Sequence, residues 1–118
     1  MIILLSIFPL VLLLAVIACQ LGASGRLPRN RYFGVRSPST RASDAAWRAG
    51  HQAALLPAWV GFAVTAVLAA SAIVFEGATI DGVAALPAKL VVIAVFAASI
   101  VWMFMAANRA ARAVAHVD

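Results

Sequence analysis

Three long stretches of the sequence carry almost no charge, and they constrain the fold more than any other feature does. They cover residues 1–21, 53–75 and 89–108, and the single charged side chain among them is Lys89, at the edge of the third. The hydrocarbon core of a bilayer is about 30 Å thick, which a helix of about 20 residues spans at about 1.5 Å per residue. We therefore predict a transmembrane helix at each of these positions.

The composition agrees with a membrane protein. Hydrophobic residues make up 65% and charged residues 11% of the 118-residue chain, whereas soluble globular domains average about 45–50% and about 25%. Three spans with short connections occupy this length, so we expect no separate soluble domain. The predicted fold is an all-α membrane protein with three transmembrane helices, a cytoplasmic loop at 22–52 that contains a short interfacial helix, an external loop at 76–88 and a cytoplasmic tail at 109–118.

Arginine is concentrated in one of the two predicted loops. Six of the eight arginines lie between residues 26 and 51, and the other two lie in the tail. With three spans, this loop and the tail fall on the same side of the membrane. Because segments rich in Lys and Arg stay in the cytoplasm, we predict a multi-pass membrane protein with its N-terminus outside and its C-terminus in the cytoplasm. Beside a membrane these side chains meet anionic lipid head groups first, so we expect lipids rather than nucleic acid as partners.

The first half of the arginine-rich loop contains several turn-forming residues. Pro28 and Pro38 restrict the residues before them to extended backbone, so a continuous helix is not expected here. Gly34 can adopt positive φ freely, which allows a tight reversal of the chain. The side chain of Asn30 can close such a turn with its own hydrogen bonds.

The second half of the loop is typical of a helix start. Ser43 is the predicted N-cap, and Asp44 lies in the first turn, where the helix dipole favours an acidic residue. Asp44, Trp47, Arg48 and His51 recur at spacings of three and four and share one face. We predict a short surface helix that then turns into the second span, with an ion pair between Asp44 and Arg48.

Two side chains of the loop are candidates for a specific role. Arg36 lies between Gly34 and Pro38, in a constrained backbone suited to a bidentate contact with a carboxylate or a phosphate. Trp47 has two interpretations that the sequence leaves open. It either anchors the surface helix in the membrane interface or packs the Gly34 turn onto that helix.

The second span has a face of small residues. They recur at spacings that place them on one side of a helix, where another helix can approach closely. Alanine is abundant in this chain, so such a stripe is weak evidence. Its members are Gly50, Ala54, Ala58, Gly61, Thr65 and Ala72.

The sequence offers little that indicates catalysis or transport. No charge lies in the interior of the apolar stretches, so the usual mark of an ion path is missing. The histidines, the cysteine and the acidic residues lack the spacing of metal ligands. Ser43 could act as a nucleophile beside Asp44 and His51, but its position commits it to helix capping. We predict a non-enzymatic protein without a metal or another cofactor.

Cys19 raises one alternative for the N-terminal stretch. The segment 16–19 is similar to the cleavage box of bacterial lipoproteins. A signal peptide needs positive charge before its apolar region, and no Lys or Arg precedes Arg26. We expect Cys19 to be an ordinary small side chain inside the first helix.

The loop contains a pattern of residues in a specific order and spacing. It consists of Pro28-Arg29-Asn30, then Gly34-Val35-Arg36-Ser37-Pro38-Ser39-Thr40, then Asp44, Trp47 and His51. This pattern resembles the SdpI family of bacterial membrane proteins over residues 28–51. The resemblance implies a protein of the bacterial cytoplasmic membrane with this loop in the cytoplasm between membrane helices. The family takes its name from an immunity protein that protects a sporulating bacterium from a secreted killing peptide and holds a transcriptional autorepressor at the membrane.

Three functions follow from these observations. The leading hypothesis is a small membrane protein whose loop binds a partner protein or a lipid head group at the inner face. The second is an accessory subunit of a larger membrane complex, packed through its small-residue face. The third is immunity toward a membrane-active peptide, as the resemblance implies. The predicted binding residues are Asn30, Gly34, Arg36, Pro38, Asp44, Trp47 and His51.

Overall fold

The computed structural model describes residues 2–77 and 86–115, and within these ranges the chain is helical apart from its first loop. Helix α1 covers Ile2–Ala23, α2 covers Asp44–Gly77 and α3 covers Leu86–Ala115, and a 3-10 turn at Thr40–Ala42 precedes α2. Each of the three long helices is long and apolar enough to cross a membrane. No strand occurs in the part of the chain that the structure describes. The predicted all-α membrane fold is confirmed.

Helix α1 ends in a glycine turn. Gly25 adopts a φ of +80°, which costs a glycine no steric penalty. The N–H of Arg26 then donates to the carbonyl of Leu21 at 3.0 Å, and the N–H of Gly25 donates to Gly22 at 3.4 Å. This pair of hydrogen bonds satisfies carbonyls at the end of the helix.

Helix α2 begins at the predicted cap but does not stop at the membrane surface. The Ser43 hydroxyl accepts a hydrogen bond from the N–H of Ala46 at 3.0 Å. The helix then runs without interruption through Pro57 to Gly77. The predicted short interfacial helix is therefore not a separate element, because nothing between His51 and Pro57 breaks the helix and a proline inside a membrane helix removes only one backbone donor.

The ends of α2 and α3 that flank the predicted external loop are also longer than predicted. Residues at both edges of the predicted external loop belong to helices, and the Lys89 ammonium joins the two ends by an ion pair with Glu76 at 3.1 Å. Residues 78–85 of that loop lie outside the described residues. The predicted tail is helical as far as Ala115, since alanine and arginine are strong helix formers; residues 116–118 are not described.

Helix α2 lies between the other two helices. It packs extensively against both α1 and α3, whereas α1 and α3 touch each other only sparsely. The small-residue face predicted for α2 is buried along its length. A Cβ atom on Gly61 would lie 2.6 Å from the Cβ of Ser99, which shows how closely α2 and α3 approach. The small-residue face therefore serves packing inside the chain.

Candidate functional site

The loop at 24–43 is folded onto the ends of α2 and α3. The Ser37 hydroxyl donates a hydrogen bond to the side-chain oxygen of Asn108. Farther along α3, the Nε of Arg112 donates to the Ser39 hydroxyl at 3.4 Å. These contacts place the loop and the C-terminal end of α3 at the same end of the bundle, as three membrane spans require.

Asn30 closes the first turn of the loop, as predicted. Its side-chain oxygen accepts hydrogen bonds from the backbone N–H groups of Tyr32 at 2.9 Å and Phe33 at 2.7 Å. Its amide nitrogen donates to the carbonyl of Pro28 at 2.9 Å. The side chain of Asn30 therefore determines the shape of the loop.

Gly34 brings the loop against the side chains of α2. Its φ is +104°, as the sequence predicted. A Cβ atom at this position would lie 2.7 Å from Nε2 of His51 and 3.2 Å from Cη2 of Trp47. Only glycine combines this backbone conformation with this close approach.

Trp47 packs the Gly34 turn onto α2, which decides between its two interpretations. The side chain is 2% exposed, so it does not act as an anchor in the membrane interface. Its indole N–H donates to the carbonyl of Leu27 at 2.8 Å, which satisfies the one polar atom of a buried tryptophan.

His51 joins the loop, α1 and α2 at a single side chain. Its Nε2 accepts a hydrogen bond from the backbone N–H of Val35 at 3.0 Å, and its Nδ1 donates to the carbonyl of Trp47 at 2.7 Å. Because the Val35 N–H can only donate and the Trp47 carbonyl can only accept, the ring is neutral with its proton on Nδ1. The ring is fully buried and lies against Gly22, where any side chain would overlap it.

Ser37 and Thr40 complete the loop; they belong to the family motif but were not among the predicted binding residues. The Thr40 hydroxyl donates to the carbonyl of Val35 at 2.7 Å and accepts from the N–H of Ser37 at 2.9 Å. Thr40 is fully buried. Hydroxyl residues that flank a proline often bond to nearby backbone in this way, so the segment 37–40 contained a usable signal.

Asp44 forms a different ion pair from the one predicted. Its carboxylate binds Nε of Arg29 at 2.7 Å rather than Arg48. Arg29 also donates to the carbonyl of Arg41 at 2.9 Å, so it connects both ends of the loop. The guanidinium of Arg48 instead lies over Gly25, on the same face of α2.

Arg36 differs from the other predicted site residues. Its side chain is exposed, and one guanidinium nitrogen donates to the carbonyl of Arg31. Within residues 2–77 and 86–115, no carboxylate forms an ion pair with it. Pro38 is also exposed but carries no polar side chain.

Arg36 lies at the mouth of a cavity of about 310 Å³. The cavity lies between α1 and α3 and is covered by the loop at Tyr32 and Gly34. Its walls are otherwise apolar and include Cys19, which is a buried free cysteine inside α1. Among the described residues, no three His, Cys, Asp or Glu side chains come together to hold a metal ion.

The site is thus a loop fixed on a three-helix membrane bundle, with the exposed guanidinium of Arg36 beside an apolar cavity. The chain belongs to the SdpI/YfhL protein family, whose model matches residues 26–106. The matched region contains nearly all of the loop, all of α2 and most of α3. No curated protein and no solved structure matches the chain.

Proposed function

We propose that this protein is a non-enzymatic membrane protein that binds an anionic group through Arg36. The observation that carries the proposal is that the loop residues have two different roles. Asn30, Gly34, Trp47 and His51 determine the shape of the loop, while Arg36 projects an exposed charge that no carboxylate neutralises among the described residues.

The loop geometry favours binding because the backbone on both sides of Arg36 is fixed before any ligand arrives. On its N-terminal side the N–H of Val35 donates to His51, and on its C-terminal side the N–H of Ser37 donates to the Thr40 hydroxyl. A loop ordered beforehand avoids the cost of ordering it on binding. The Arg36 guanidinium can then offer two parallel N–H donors to a phosphate or a carboxylate.

The proposal places this site at the cytoplasmic surface of the bacterial inner membrane. The arginine-rich loop and the end of α3 meet at one end of the bundle, and basic segments stay in the cytoplasm. The first two turns of α2 carry Asp44, Arg48 and His51, so they lie outside the uncharged stretch that crosses the hydrocarbon core. Arg36 is then at the depth of the lipid head groups.

Photocrosslinking in the intact membrane tests the proposal. Tyr32 is 85% exposed and lines the same cavity mouth as Arg36, so Tyr32→p-benzoylphenylalanine places a crosslinker beside the site. We expect one dominant adduct that disappears when Arg36→Gln is added and persists when Arg41→Gln is added. The amount of protein inserted in the membrane controls for folding. Adducts that are insensitive to both substitutions would show that Arg36 is not a binding residue.

Membership of the SdpI/YfhL family supports a second proposal, immunity toward a membrane-active peptide. Expression of the protein in a sensitive strain should then raise survival during exposure to the peptide, and Arg36→Gln should reduce that protection.

An accessory-subunit role is tested by purification in mild detergent, where one stoichiometric membrane partner is expected. Because the small-residue face of α2 is buried within the chain, such a partner would need another surface.

A further inference from the structure

The cavity beside Arg36 combines apolar walls with a charged mouth. Helices α1 and α3 both pack on α2 and leave a groove between them. On the α1 side the groove is lined by Val11, Ala15 and Ala18, and on the α3 side by Ile100, Met103 and Phe104. These side chains offer only hydrocarbon, sulfur and aromatic surface, so the occupant of the groove is apolar over this part of its length.

The length of the groove matches one leaflet of a bilayer. On α1 it extends from Val11 to Cys19, a rise of about 12 Å at about 1.5 Å per residue. Half of a hydrocarbon core of about 30 Å is about 15 Å. A partner helix would be about 10–12 Å wide and would cross both leaflets, so it would not fit a cavity of about 310 Å³. An extended acyl chain from the leaflet on the loop side fits it.

The mouth of the groove indicates the charge of the occupant. A guanidinium has five N–H donors, and Arg36 uses one nitrogen on the Arg31 carbonyl. The remaining donors belong to a residue that lines the groove at its loop end, which is the end where the head group of a lipid in the groove would lie. A phosphate accepts two parallel hydrogen bonds from such a group, and no carboxylate among the described residues competes for it.

We propose that the groove between α1 and α3 binds one acyl chain of an anionic phospholipid whose phosphate group binds Arg36. This inference rests on the proposed function and names the ligand class for the same site. The loop covers the groove at Tyr32, Phe33 and Gly34, so the head group and the chain are held by one continuous surface. Selectivity for an anionic lipid comes from Arg36, because the cation of a zwitterionic head group offsets the attraction between its phosphate and a guanidinium. Retention of the chain comes from the helices.

Native mass spectrometry of the full chain in detergent provides the test. The probes are phosphatidylglycerol and phosphatidylcholine with identical acyl chains. An arginine near an anionic surface contributes on the order of 1 kcal/mol, so we expect the wild type to bind phosphatidylglycerol about fivefold better. Arg36→Gln should abolish this preference. Arg41→Gln makes the same change of charge on the same loop away from the groove and should preserve it.

A second pair of variants tests the groove separately from the charge. Leu14 lines the groove and is 54% exposed, whereas Val101 is 56% exposed and does not line it. Both positions face lipid in part, so a larger side chain is compatible with folding. Leu14→Trp should lower the binding of both phospholipids several-fold, and Val101→Trp should leave both unchanged.

The outcomes distinguish a failure of the proposed function from a failure of the groove inference alone. If Arg36→Gln and Arg41→Gln reduce the preference equally, Arg36 is not a site and the proposed function fails with the inference. If glycerophosphoglycerol, which has no acyl chains, competes as well as the whole lipid and Leu14→Trp has no effect, Arg36 binds an anion but the groove inference is wrong. The groove inference would also be wrong if a protein crosslinked to position 32 only when Arg36 is present, and if that protein prevented lipid binding. The ligand would then be an acidic protein partner.

Discussion

The imidazole Nε2 of His51 accepts the backbone N–H of Val35 at a distance of 3.0 Å, across 16 residues of chain. This bond fixes the position of the loop relative to α2, because the other ring nitrogen is held by the carbonyl of Trp47 one helical turn earlier. Histidine is used here as a neutral structural link with both nitrogens satisfied. In the proposed site its part is therefore indirect, through the position it gives to Arg36.

Replacing His51 should loosen the loop. His51→Ala leaves the Val35 N–H without its acceptor and opens space beside Gly22, so we expect a loss of about 2–4 kcal/mol in the free energy of unfolding. Unfolding in mixed detergent micelles measures this. Gln52→Ala, at the exposed neighbouring position, is the control and should change little. A His51→Ala variant as stable as the wild type would mean that the buried ring does not hold the loop.

Gly34→Ala should be destabilising for two separable reasons. A residue with a Cβ is strained at a φ of +104°, at a cost of about 1–3 kcal/mol, and the new methyl would also press against Nε2 of His51. In the double variant with His51→Ala, the second cost disappears and the first remains. The two substitutions should therefore be less than additive in the free energy of unfolding. Strict additivity would show that the loop does not touch His51.

The elements that the sequence predicted well are those that depend on local or periodic signals. Uncharged length predicted the three helices, Ser43 predicted the start of α2, and Gly34 and Asn30 predicted the turn in the loop. Each of these features is determined by residues within a few positions of one another. The backbone there has few alternatives, so the residue types are sufficient evidence.

The features that the sequence did not predict depend on contacts between distant segments. Helical spacing paired Asp44 with Arg48, whereas the fold brings Arg29 to it from 15 positions away. The bond from Ser37 to Asn108 spans 71 positions, and the groove beside Arg36 exists only because α1 and α3 separate on α2. Helical spacing carries no information about such contacts.

The ion pair between Arg29 and Asp44 should contribute little to stability despite its short distance. Both side chains are exposed, and exposed pairs are worth about 0–1 kcal/mol. A double-mutant cycle with Arg29→Gln and Asp44→Asn should therefore give a coupling free energy below about 1 kcal/mol that falls with added salt. The same cycle between Asp44 and Arg48 should give none. A larger coupling free energy between Asp44 and Arg48 would instead support the ion pair that the sequence predicted.

The close approach of α2 and α3 at Gly61 predicts a reciprocal pair of substitutions. Gly61→Ala directs a methyl at the Cβ of Ser99, 2.6 Å away, and overpacking of this kind costs about 1–3 kcal/mol. Ser99→Gly removes the opposing atom and should recover part of that loss in the double variant. Val60→Leu, at an exposed neighbour, should have little effect on unfolding. Failure of Ser99→Gly to rescue would place the strain elsewhere in the bundle.

The orientation of the bundle decides whether Arg36 meets the inner or the outer leaflet. The proposal requires the loop end to be cytoplasmic, since basic segments resist translocation. In a Cys19→Ser background, Tyr32→Cys should react with a membrane-impermeant maleimide only after the cells are permeabilised. Gly82→Cys, in the connection between α2 and α3, should react in intact cells. The reverse pattern would place Arg36 outside, and the ligand would then have to come from the outer leaflet or from the surrounding medium.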